Sequence, residues 1–142
     1  YLDSEKYQWK ERDWDAPGSI KDWITRLNRI RRENRALHRY DNLRFYEADN
    51  GAILFYGKFT EAKDNIVLVA VNLDSSQTQN SYIHVPLPEF GISDSEPYQV
   101  HDLLTDARYT WKGSRNFVKL DPETQPAHIF RLRRNVGDNR FA

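Results

Sequence analysis

Ile66-Val67-Leu68-Val69-Ala70-Val71 is the longest apolar run in the chain. Six residues are far too few to span a bilayer, which takes about 20 in a helix. Bounded by polar residues, the run reads as a central strand of a sheet, buried on both faces. Around it the hydrophobic period is two. Segments 43–47, 52–59, 66–73, 82–87, 98–104, 108–112, 117–120 and 128–133 each alternate over strand length, which gives about eight strands. Asp49-Asn50-Gly51 between the first two marks a hairpin, because Asn-Gly readily supplies positive φ angles. Lys112-Gly113-Ser114 marks a second hairpin. Strands so spaced, with no helices between them, predict a mainly β fold, an antiparallel β-sandwich or barrel.

Upstream of the strands the period changes. Pro17-Gly18 closes a segment with neither helical nor alternating period, so residues 1–15 are expected to form a loop. Ser19 stands as an N-cap with Asp22 three residues on, a variant capping box that places negative charge at the positive helix end. Ile20, Trp23, Ile24, Leu27 and Ile30 then follow at spacings of three and four, while Lys21, Arg26, Arg29 and Arg32 point elsewhere. A helix from Ile20 to about Asn34 is predicted, with one apolar stripe that must bury itself against something. Residues 135–142 read as a frayed tail.

A chain of 142 residues can bury a core without staples. Lys+Arg and Asp+Glu are equal at 21, so there is no net field to attract nucleic acid or an anionic membrane. With no Cys there is neither a disulfide framework nor a thiolate metal site. The absence of Met, with Tyr at position 1, suggests a piece cut from a longer chain.

The chemical candidates are sparse. His38, His84, His101 and His128 are single and lack metal-site spacing, so structural or surface roles and no metal are expected. Ser residues lack a nucleophile elbow, and the glycines form no phosphate loop. Glu11, Asp13 and Asp15 could supply paired carboxylates, or could order a loop by pairing with Lys10 and Arg12. Lys6 and Tyr7 join three ammonium donors to a phenol that can both stack and hydrogen-bond. That suits sugar hydroxyls or a phosphate oxygen, and equally a solvated loop.

The string YLDSEKYQWKERDWDAPGSIKDWITRLNRIRRENRAL resembles the end of the catalytic barrel in GlgE-type maltosyltransferases, relatives of α-amylase. DLLTDARYTWKGSRNFVKLDPETQPAHIFRL resembles the closing strands of their C-terminal β domain. The RIRRENRAL helix is shared with amylases generally, whereas SEKY followed by RDWD is specific. The resemblance implies residues 1–40 as the last loop and helix of a (β/α)8 barrel, 41–134 as the C-terminal β-sandwich, and 135–142 as a tail. It implies Lys6 and Tyr7 as contacts to a maltosyl donor, since barrel active sites form on the face carrying the loops after the strands.

The implied activity is transfer of maltosyl units from α-maltose 1-phosphate to the non-reducing end of an α-1,4-glucan, with retention and no cofactor. No position here matches the family's nucleophile, acid or stabilising aspartate. The chain alone is therefore expected to be inactive, cytoplasmic, and missing its upstream barrel. The stripe Ile20, Trp23, Ile24, Leu27 and Ile30 would then fold onto the sandwich or pair with another chain. Two alternatives stand beside this. One is a stand-alone carbohydrate-binding module using Tyr46, Tyr56, Tyr82, Tyr109 or Trp111. The other is the C-terminal domain of a generic amylase or trehalose-forming relative.

Overall fold

The computed structural model describes residues 20–134, with side chains from Lys21 onward. The expected loop at 1–15 with Lys6 and Tyr7, the Ser19 cap and the tail at 135–142 lie outside the described residues. The chain separates into two units, residues 1–33 and 34–142.

In the first unit helix α1 runs Ile20–Glu33, within a residue of the expected span. Asp22 sits in its first turn, and Arg31 and Arg32 in its last, both favourable to the helix dipole. Of the apolar stripe, Ile30 is buried while Trp23, Ile24 and Leu27 are exposed.

Among its described residues the second unit holds eight strands: β1 Leu43–Tyr46, β2 Ile53–Phe59, β3 Ile66–Asn72, β4 Gln79–His84, β5 Pro97–Asp102, β6 Arg108–Lys112, β7 Arg115–Leu120 and β8 Ala127–Arg134. Six form one sheet in the order β1-β2-β3-β8-β5-β6, and β4 pairs with β7 in a second sheet. Every neighbouring pair is antiparallel. β3 occupies the middle, with Leu68 opposite Gly57 of β2 and Phe130 of β8.

Burial on both faces of β3 follows from its composition, because nearly every residue of the strand is apolar and both faces find cover. Its inner residues Ile66, Leu68 and Ala70 join Phe55, Tyr98, Val100, Phe130 and Leu132 of the same sheet, and Ile83, Val118 and Leu120 of the facing pair, in the main core. Each large side chain so buried contributes about 1.5–3 kcal/mol. On the outer face Val67 and Val69 pack with Ala36 of a 3-10 turn, Arg35–His38. Asn65 holds that turn, accepting from the Ala36 amide at 2.8 Å and donating to Asn34 Oδ1 at 3.0 Å.

Three local expectations are corrected. The β1–β2 connection is a hairpin, but Gly51 does not adopt positive φ. Instead Ile53 N donates to Asn50 O at 3.0 Å and Ala52 N to Asn50 Oδ1 at 2.8 Å, an Asx-stabilised turn. Asn50 Nδ2 reaches across to Gln79 Oε1 and Asn80 O of β4, so the side chain ties the two sheets together.

Lys112-Gly113-Ser114 is not a hairpin. β6 pairs with β5 and β7 pairs with β4, so the chain changes sheets here, and Gly113 turns the corner at φ 84°. β4 also begins and ends earlier than expected, since the apolar residues after it feed a one-turn helix α2, Leu87–Phe90. Pro86 and Pro88 interrupt strand pairing there, and Gly91 closes the turn at φ 70°.

Candidate functional site

Strands lie about 4.8 Å apart, so a sheet of six is far wider than the pair that faces it. Where the cover runs out, towards the β6 edge, a cleft of about 370 Å³ opens. Tyr109, Trp111, His128 and Phe130 of the large sheet form its floor, and the β7 stretch Phe117-Val118-Lys119 borders it, with Val118 turned to the core and Phe117 and Lys119 standing at the exposed edge. Alternation explains the floor: Tyr109 and Trp111 are two apart on β6, as are His128 and Phe130 on β8, so each pair shares the inner face.

Ring contacts fix the floor. Trp111 meets Phe130 edge to face at 5.1 Å and Tyr98 at 6.3 Å. His128 stacks on Phe130 at 4.8 Å with 19° between planes, and its Nδ1 lies 2.8 Å from Asp102 Oδ2. Asp102 is fully buried and also accepts from the Leu104 amide at 3.0 Å. Burial pushes this carboxyl up, but the hydrogen bonds from His128 and Leu104, the nearby imidazole charge and Thr105 together outweigh it, so the group sits below its ordinary value. An ionised carboxylate only accepts, so the proton is placed on Nδ1 and Nε2 becomes an acceptor in the neutral ring.

The rim is aromatic and open. Phe117 is 53% exposed and Tyr109 42%. Phe117 touches Tyr82 at 5.5 Å, and the Arg115 guanidinium covers the Tyr82 ring at 3.7 Å. No carboxylate lines the cleft among the described residues, so it lacks the paired acids that glycosyl transfer requires. What it offers is recognition: flat apolar faces beside an imidazole, an ammonium and a phenol.

Two other clusters differ in chemistry. Glu47, Asp49 and His84 bring ligand atoms within 4.8 Å of one another, His84 Nε2 standing 2.7 Å from Asp49 Oδ1. Backbone pairing assembles them, through Asp49 N to Tyr82 O and His84 N to Glu47 O, both at 3.0 Å. All three are solvent-accessible, and the backbone pairing together with the His84–Asp49 contact accounts for their proximity. A groove of about 570 Å³ at the other end of β8 collects Lys63, Arg131, Arg133 and Arg134 beside Asp64 and Phe90. Burial, with Arg131 and Arg108 nearby, pulls Arg133 below its ordinary value. That chemistry suits anions rather than neutral sugars.

Of the aromatic residues singled out in the sequence, Tyr109 and Trp111 are brought together in the cleft. Tyr46 instead packs on Phe55 and donates to Glu89 at 3.2 Å, its phenol pushed up by burial and by that carboxylate. Tyr56 packs on the outer face. Phe117, Lys119 and His128 were not foreseen as partners, because only the sheet pairing shows that β7 lines the same cleft as β6 and β8. The histidines, single in sequence, pair in space: His84 with Asp49, His101 with Asp106 and His128 with Asp102.

Residues 45–132 match the family model described as "GLGE, C-terminal". The α-1,4-glucan:maltose-1-phosphate maltosyltransferase of Rhodospirillum rubrum is 52% identical over 132 residues, which is 93% of this chain and 19% of that protein. The enzyme of the same name from Myxococcus xanthus is 48% identical over 143 residues, 97% of this chain and 21% of that one. The chain thus spans about a fifth of the length of the curated relatives it matches. Among solved structures, an α-amylase of Geobacillus thermoleovorans complexed with acarbose superposes with a TM-score of 0.63 at 19% identity, over 88% of this chain and 25% of that one. An Anoxybacillus α-amylase gives 0.58 at 20% identity, over 88% and 25%. These two likenesses are of fold: the sandwich is of the type found in α-amylases.

Proposed function

Because the chain belongs to the GLGE C-terminal family, we propose that it is the closing portion of a maltosyltransferase that moves maltosyl units from α-maltose 1-phosphate to the non-reducing end of α-1,4-glucans with retention. Identity of 52% across 93% of the chain carries this reading. Residues 1–40 serve as the last loop and helix of the catalytic barrel, 41–134 as the sandwich beside it, and 135–142 as a tail. Lys6 and Tyr7 contact the maltosyl donor, and the reacting carboxylates come from the barrel upstream.

The sandwich supports the barrel rather than catalysing, in keeping with a cleft that, among the described residues, holds aromatics and bases but no paired acids. The exposed Trp23, Ile24 and Leu27 of α1 are the surface that the barrel would cover. In the isolated chain they are the surface for self-association. The enzyme works in the cytoplasm, where sugar phosphates are made.

The test joins this chain behind the first four-fifths of the Rhodospirillum rubrum relative and supplies α-maltose 1-phosphate with a maltooligosaccharide acceptor. Phosphate release at a rate comparable to the parent supports the reading. Starch hydrolysis without phosphate release from that donor overturns it.

A further inference from the structure

The cleft between β6, β7 and β8 sets exposed aromatic faces beside an imidazole and an ammonium. We propose that this cleft is a glucan-holding surface site: Phe117, Tyr109 and Trp111 stack against successive glucose rings while His128 and Lys119 hydrogen-bond their hydroxyls. That the ligand is an α-1,4-glucan rests on the maltosyltransferase reading above.

The core uses Trp111, Val118 and Phe130 but not Phe117 or Tyr109. Phe117 and Tyr109 stand 53% and 42% exposed at the mouth of a cleft of about 370 Å³, where stability alone would favour polar residues. The volume falls within the usual range for small-ligand sites. His128 is held by a buried carboxylate that fixes its ring and tautomer, an anchoring found where orientation matters.

The occupant follows from the mixture. A glucose ring has apolar C–H faces and a rim of hydroxyls, so it can lie on an aromatic ring while its rim meets donors and acceptors. A purely apolar segment would bury the Lys119 ammonium and His128 Nε2, the ring nitrogen not engaged by Asp102, at a desolvation cost. Among the described residues an anion would meet one ammonium here, whereas the groove with Lys63 and Arg131 offers more cations. By holding a glucan on the same molecule, the site would raise the local concentration of acceptor chains.

The whole 142-residue chain is titrated with maltoheptaose by calorimetry, and the Trp111 indole N–H is followed by NMR. Saturable binding is expected, with a shift at Trp111. Phe117→Ala and Tyr109→Ala, both at exposed positions, should each weaken binding about tenfold, equivalent to ~1.4 kcal/mol, with the folded state retained by circular dichroism. Lys63→Ala in the basic groove should leave binding unchanged. Absence of saturable binding overturns the proposal, as does binding that survives both aromatic substitutions or is lost with Lys63→Ala. The phosphate-release assay separates the two claims. Transfer without cleft binding removes the surface site and leaves the enzyme reading, while cleft binding without transfer removes the enzyme reading and leaves a binding module.

Discussion

The Tyr98 hydroxyl donates to the Gly113 carbonyl at 2.7 Å, locking the corner where the chain leaves the six-stranded sheet for the facing pair. Burial pushes this phenol up to about 12, so it remains a donor at any physiological pH. Asn116 Nδ2 reaches the same carbonyl at 3.1 Å and the Tyr98 oxygen at 3.1 Å, closing a three-membered network. Tyr98→Phe should cost about 1 kcal/mol by removing one bond while Asn116 still satisfies the carbonyl. Gly113→Ala should cost about 1–2 kcal/mol, because φ is 84° there although nothing lies within 4 Å of an added Cβ. Urea unfolding with an unchanged m-value would measure both. A neutral Gly113→Ala would mean the corner does not need its left-handed backbone.

The Asp102–His128 pair gives the sandwich a stability component with a defined pH sign. The folded carboxyl sits below its ordinary value of 3.8. Its contribution is therefore fully present above that value and is lost as pH falls through the lower, folded one. Asp102→Asn should destabilise by about 1–3 kcal/mol at neutral pH. The gap from wild type should narrow as acid protonates the native carboxyl. Denaturant curves for both proteins from neutral to strongly acidic pH would show it, and a pH-independent gap would contradict it.

Gly57 is required by packing rather than by its backbone angles. A Cβ there would stand 2.6 Å from Leu68 Cδ2 and 3.0 Å from Tyr46 Cε2, with Leu68 fully buried in the main core. Gly57→Ala should destabilise by about 1–3 kcal/mol through overpacking. Gly51→Ala, with nothing within 4 Å, should be near neutral and serves as the control. Thermal unfolding of the two variants side by side would decide.

In the enzyme restored with its barrel, Lys6→Ala should raise KM for α-maltose 1-phosphate at least about tenfold, with the loss of one charge-assisted bond. Tyr7→Phe should have a smaller effect if stacking dominates its role and a comparable one if its hydroxyl grips the sugar. Steady-state kinetics with donor varied at saturating acceptor measures both. An unchanged KM for Lys6→Ala would remove it from the donor site.

Much of the fold was legible because local and global signals agreed. Residues 66–71 are apolar without a break, which a strand buried on both sides requires, and β3 is that strand. The stripe at Trp23, Ile24 and Leu27 gave α1 nearly to its ends. Where the reading failed, the deciding contact was distant. Gly113 resembles a hairpin glycine until one sees that β7 pairs with β4, with Ser81 opposite Val118. Val85 and Leu87 look like the end of a strand, but β4 stops at His84 and Leu87, flanked by Pro86 and Pro88, opens α2. The cleft shows the same division: Trp111 and Tyr109 were visible as aromatics on one strand, whereas His128 joins them only because β8 inserts between β3 and β5.

Chain-length analysis of the products tests the central claim most directly. The restored enzyme is incubated with α-maltose 1-phosphate and a short maltooligosaccharide, and the products are weighed by mass spectrometry. Acceptors should lengthen in steps of two hexose units, each step matched by one released phosphate. Lengthening by single hexoses, or shortening of the acceptor with no phosphate released, would contradict it.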